Sequence, residues 1–130
     1  MATKYSHPLT DAAAIAQVNK GLNFGEAEWL AEMLGLSLEK FADYVDIPKA
    51  TFFRRKGGRF TRNESDHIMR YGRLFDRAAG VFESTEGAQE WLATSQHGLN
   101  GIVPLDHART ETGARQVETL LNRIEYGTAL

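Results

Sequence analysis

The chain has 130 residues, 42% of them hydrophobic and three of them proline, which suffices for one sizeable core or one core with a small satellite. It has no cysteine, and that excludes a disulfide framework, thiol catalysis and thiolate metal sites. A formal net charge of -2 conceals an uneven layout: Ile47 to Asn63 carries Lys49, Arg54, Arg55, Lys56, Arg59 and Arg62 and no acid, while acids outnumber bases on both sides. The opening Met1 to Pro8 holds no apolar stretch of signal-peptide length, and no window approaches the roughly 18 apolar residues of a membrane span. A cytoplasmic protein without a membrane partner is therefore expected.

Apolar residues recur at three and four and never alternate over six positions, so the pattern predicts an all-α fold. Thr10 or Asp11 can cap a first helix from Ala12 to about Lys20, with Gly21 as its stop. A second helix is expected from about Glu26 to Leu34, with Ala27, Leu30 and Leu34 on one face. Ser37 then caps a short helix whose apolar face is Leu38, Phe41, Ala42 and Val45. Asp46-Ile47 breaks the pattern and Pro48 restarts it, because the fixed φ of proline suits the first position of a helix. The restarted helix runs from Lys49 to about Lys56 and closes at Gly57-Gly58. Thr61-Arg-Asn-Glu64 spells a capping box and opens the longest helix, to about Phe82. Ala88, Trp91 and Leu92 belong to a further helix, followed by the loop Gly98 to Pro104, a short turn at Leu105 to Arg109, and a last helix capped by Thr110 with Ala114, Val117, Leu120, Leu121 and Ile124 as its stripe.

Ser37 to Lys56 reads as a helix-turn-helix. Two short helices cross steeply only where a small residue lets their backbones approach and a buried turn residue holds the angle. Ala42 offers the small contact, Ile47 the turn and Phe52 the anchor to the core; Asp46 stands where glycine is frequent and is among the few other residues that accept a left-handed backbone. With Phe52 inward, Lys49, Ala50 and Thr51 lie at the exposed leading end and Arg54 and Arg55 on the outer side, as a helix entering the major groove requires. Arginine can grip guanine through two hydrogen bonds, and threonine can meet thymine or a phosphate. Lys56, Arg59 and Arg62 are better placed for phosphates. Two plainer readings stand beside this one: the cations form a solvated face, or the bihelical unit is a protein-contact module without DNA binding.

The ordered set Arg62-Asn-Glu-Ser-Asp66, Arg70 to Phe82, Ala88-Gln-Glu-Trp91-Leu92, Gly98-Leu-Asn-Gly-Ile-Val-Pro-Leu105, Thr112 to Val117 and Leu121 to Gly127 resembles the Xre/MbcA/ParS-type antitoxins of bacterial RES–Xre type II toxin–antitoxin pairs. With the bihelical unit included, the resemblance covers roughly Ser37 to Gly127. It implies an Xre-like DNA-binding subdomain, residues 1–62, packed on a C-terminal toxin-binding subdomain, residues 63–130. It further implies a cognate RES-domain toxin that consumes NAD, whose cleft the antitoxin covers, and repression of the chain's own operon through an inverted repeat, with a homodimer inside a hetero-oligomeric complex. Carried over for the toxin face are Leu99, Ile102, Pro104 and Leu105 in the loop, and Arg123, Glu125, Tyr126, Gly127, Thr128, Ala129 and Leu130 at the end of the last helix and its tail. The residues alone leave the loop as either packed down or a binding patch, the tail as either an insert for a partner's cleft or a frayed end. A stand-alone repressor, whose second half makes the dimer or senses a ligand, is the other functional reading.

His7, His67, His97 and His107 lack the i, i+4 spacing of a helical metal site, and Gly57-Gly58 follows a helix instead of joining a strand to one as a phosphate loop does. Asp106-His107 beside His97 is the one arrangement that could be drawn as an acid–base pair, and a loop hydrogen bond is its commoner fate. No catalytic residue, metal or cofactor is expected.

Overall fold

Most helices begin where a side chain can accept the N–H groups that a first turn leaves unpaired. The structure is a computed structural model and describes residues 11–127. Helix α1 spans Asp11–Lys20 and ends at Gly21, whose φ of 91° only glycine adopts without strain; the cap expected at Thr10 or Asp11 lies outside the described residues and side chains. Helix α2 spans Phe24–Met33, two residues ahead of the expected start at Glu26, because Asn23 and Glu26 form a reciprocal capping box. Ser37 caps α3, Leu38–Tyr44, through its hydroxyl on Lys40 N at 3.1 Å.

Helix α4, Lys49–Arg54, runs into a 3₁₀ turn at Arg55–Gly57. Pro48 precedes the helix as its N-cap and is not its first residue, since its ψ of 139° is extended. Thr61 and Glu64 make the expected box at the head of α5, Arg62–Phe82. Ser84 caps α6, Thr85–Ala93, and a 3₁₀ turn at His97–Leu99 leads to α7, Pro104–His107. Thr110 caps α8, Glu111–Glu125. The fold is all-α: among the described residues there is no strand, only the isolated bridges Asn23 to Arg59 and Gln96 to Ile102.

Helix α5 organises the molecule, packing against α1, α2, α6 and α8. Ile68, Tyr71, Leu74, Phe75 and Ala78 recur at three and four along it and are buried. The core is one continuous cluster from Leu22 to Leu121, so the two halves share it. The Tyr71 hydroxyl, buried, donates to Leu105 O at 2.9 Å, and burial holds its pKa well above the usual phenol range. Along the α5–α8 seam, Arg70 and Arg73 reach Glu111 at 3.3 and 3.4 Å, Arg73 reaches Glu118 at 3.8 Å, and Arg77 pairs with Glu125 and with Asn122 Oδ1. These arginines step by three and four, about one turn, on α5, and their acids by sevens, about two turns, on α8.

Candidate nucleic-acid interface and partner-binding face

The turn between α3 and α4 is closed by main-chain bonds. Asp46 takes a φ of 60°, Asp46 N donates to Asp43 O at 3.1 Å and Ile47 N to Ala42 O at 3.0 Å, the paired bonds of a Schellman stop with aspartate at the left-handed position. The His67 ring, from α5, donates through Nδ1 to Val45 O at 2.9 Å and holds the end of α3. Ile47 is thereby buried at the turn. Phe52 is fully buried in an aromatic cage, with ring centroids 5.3 Å from Phe24, 5.4 Å from Phe60 and 6.2 Å from Phe41. The face of α4 opposite that anchor is consequently turned to solvent.

Lys49, Ala50, Arg54 and Lys56 are exposed and Thr51 is half-buried. Arg54 Nη2 reaches back to Thr51 Oγ1 at 3.4 Å, and Lys56 Nζ stands 5.6 Å from the centroids of both Phe24 and Phe53. Arg59 is exposed, yet its Nη1 donates to Gly21 O at 2.7 Å. Arg62 is exposed in the first turn of α5. Among the described residues none of Lys49, Arg54, Lys56, Arg59 and Arg62 is paired with a carboxylate. Arg55 differs from the expected outward pose. Its Nε and Nη2 fork onto Glu64 Oε1 and Oε2 at 2.9 and 2.8 Å, which holds the Glu64 carboxyl below the usual carboxylate range and raises the guanidinium further. Nine residues of separation with a loop between hide that pair from any helical spacing rule.

The second expected face is divided by burial. Leu99, Pro104 and Leu105 are buried, so the loop is the packed-down alternative and Ile102, 41% exposed, is its one large outward side chain. Gln96 N and Gly101 N close the loop on Ile102 O and Gln96 O at 3.2 and 2.9 Å, with Asn100 and Gly101 both at positive φ. Gly98 lies against Leu120, where a Cβ would meet Cδ1 at 2.9 Å. At the far end of α8, Arg123 and Gly127 are exposed and Tyr126 is 73% exposed, while Glu125 is engaged with Arg77. Thr128, Ala129 and Leu130 lie outside the described residues.

The two faces are joined by Arg109. It donates to Asp43 O and Asp43 Oδ2, both at 2.8 Å, sits 4.8 Å from the Tyr44 ring, and lowers the Asp43 carboxyl through that hydrogen bond. Asp106 and His107 have separate partners: His107 Nε2 bonds Gln116 Oε1 at 2.6 Å, and Asp106 lies 3.9 Å from Arg109. Among the described residues no group of three or more His, Asp or Glu could hold a metal ion, and no helix is long and apolar enough to cross a membrane.

An all-helical chain of this kind, with a bihelical unit bearing free cations and a second unit built on an α5–α8 seam, has relatives. Residues 77–127 match the family described as Antitoxin Xre/MbcA/ParS C-terminal toxin-binding domain. An Antitoxin Xre of Yersinia enterocolitica is 39% identical over 98 residues, covering 65% of this chain and 66% of the relative. A second, from Photorhabdus laumondii, is 37% identical over 71 residues, and a third, from Pseudomonas putida, 31% over 70; each alignment covers 54% of this chain, and 48% and 44% of the relative. These matches support an antitoxin of the Xre/MbcA/ParS type. Its alignments span just under two thirds of the Yersinia relative and about half or less of the other two.

Proposed function

We propose that the chain is the antitoxin of a type II toxin–antitoxin pair, that it inhibits a RES-domain, NAD-consuming toxin by covering its active site, and that it represses its own operon through α3 and α4. The observation that carries the first part is the match of residues 77–127 to a toxin-binding domain. Those residues run from the last turns of α5 through α8, where Ile102, Arg123, Tyr126 and Gly127 face outward. They are the proposed toxin contacts, with Glu125 beside them and Thr128, Ala129 and Leu130 following. Leu99, Pro104 and Leu105 would act from beneath by holding Ile102 in place. Inhibition by occlusion needs no catalytic group, and no enzymatic activity is assigned to the chain.

The repressor part is supported by the exposure of Lys49, Ala50, Arg54, Lys56, Arg59 and Arg62 with Thr51 at their edge, on and after a helix that a buried phenylalanine holds outward. Repressors of this design bind two half-sites about 34–36 Å apart per helical turn, so a homodimer on an inverted repeat is expected, within a larger complex once toxin binds. Co-expression with the product of the neighbouring gene tests the first part: a stable complex that loses toxin activity is expected, and failure of the two to co-purify refutes it. A gel shift on the DNA upstream of the reading frame, repeated at rising salt, tests the second. A shift no stronger than on random DNA refutes it.

A further inference from the structure

We infer that Arg55 and Glu64 form a clamp that fixes the roll of α4 on the body of the protein, so that Arg55 is a positioning residue and not one that reads DNA. Helix α4 has only six residues, too few to be stable alone, and is followed by Gly57-Gly58, around which nothing lies within 4 Å of a Cβ position. Covalent connection therefore restrains its C-terminal end weakly. Phe52, with Phe53 beside it against Phe24 at 6.1 Å, anchors the middle of the helix by apolar contact, which has no fixed direction. The fork from Arg55 adds a directional contact at the C-terminal end. It ends on a carboxylate that already accepts Thr61 N–H at 2.9 Å, so one side chain ties the end of α4 to the first turn of the 21-residue α5. The pair is mostly shielded, at 24% and 16% side-chain exposure.

The fork occupies Nε–H and one Nη2–H of the five donors of Arg55 and fixes where the remaining three point, on a side chain only 24% exposed. The arginine free for base edges is Arg54. This division of labour rests on the DNA-binding reading above for its functional consequence, though not for the clamp.

Glu64→Gln separates the two roles of Arg55, because it keeps an oxygen for Thr61 N–H, removes a negative charge near the DNA, and sets an NH₂ group against the arginine. If Arg55 reads DNA, the freed guanidinium makes E64Q bind as well as the native chain or more tightly. If Arg55 positions α4, E64Q weakens binding to a fluorescent duplex of the upstream DNA by about tenfold, within the range of coupled contacts, with the salt slope unchanged. Binding equal to or tighter than the native chain's overturns the inference. Arg54→Ala is the comparator, expected to lose specific binding. Should the native chain and R54A bind upstream and random duplexes alike, the DNA-binding reading has failed. The clamp is then judged on the free protein by amide hydrogen exchange: faster exchange in α4 of E64Q, with α3 unchanged, upholds it, and unchanged exchange in α4 overturns it.

Discussion

Arg54 and Arg55 are neighbours of identical chemistry with different surroundings, one exposed and free of carboxylates, the other forked onto Glu64. Replacing Arg54 by alanine is expected to cost about 1–3 kcal/mol of operator binding and to relax preference at one base pair, with toxin neutralisation unchanged. Competition gel shifts with single-base variants of the duplex check it, and a uniform loss across all duplexes would point to a phosphate contact instead. Glu64 carries a pH prediction. Its folded pKa lies below the ordinary 4.5 because of Arg55, so it stabilises the fold above that value and the contribution disappears as pH falls through the folded value. Urea denaturation of the native chain and E64Q should therefore differ near neutrality and converge in acid. Phe52 is the residue on which the pose of α4 turns: Phe52→Ala should destabilise by about 3–5 kcal/mol, as large core truncations do.

Helix α8 is joined to α5 by ion pairs along its length and packs closely against α7 at its first turn. A Cβ on Gly113 would fall 1.7 Å from His107 O, so Gly113→Ala must push the head of α8 off α7. A fall in melting temperature of at least about 5 °C is expected, read by circular dichroism. The other end of α8 is expected to be dispensable for the fold, because among the described residues none after Leu121 belongs to the core. Cutting the chain after Leu121 should keep helical content and DNA binding and lose protection against the toxin. Continued protection of cells by the truncated protein would remove the tail from the toxin face. The truncation also deprives Arg77 of Asn122 and Glu125, so an Asn122→Ala, Glu125→Ala variant distinguishes loss of the pairs from loss of the tail.

At the scale of the molecule, the continuity of the core from Leu22 to Leu121 predicts a single unfolding transition. Tryptophan fluorescence and far-ultraviolet circular dichroism should give coincident urea curves. Two separated transitions would instead mean that residues 1–62 and 63–130 fold as independent units. The cation block predicts a second whole-molecule property. If about four of its members meet phosphates, the logarithm of operator affinity should fall with log salt at a slope of about -3.6. A slope near zero would return the block to a solvated face.

Local chemistry made much of this legible in one dimension. Ser37, Thr61 with Glu64, and Thr110 mark helix starts because a cap bonds residues two or three places on. Asn23-Phe-Gly-Glu26 carried the same signal with asparagine in place of a hydroxyl, and reading it would have set α2 at Phe24. The inward turn of Phe52 and the left-handed Asp46 followed from periodicity and backbone sterics, both properties of a few consecutive residues. By itself, then, the sequence determined the helices, their boundaries to within about a turn, and the block of charge that suggests nucleic acid. Only the tertiary structure decided which cations are free, that Leu99, Pro104 and Leu105 are buried while Ile102 faces outward, and how α8 meets α5. Those outcomes depend on pairs such as Arg55 with Glu64 or Arg109 with Asp43, whose approach is set by chain crossings in space and has no periodicity along the sequence.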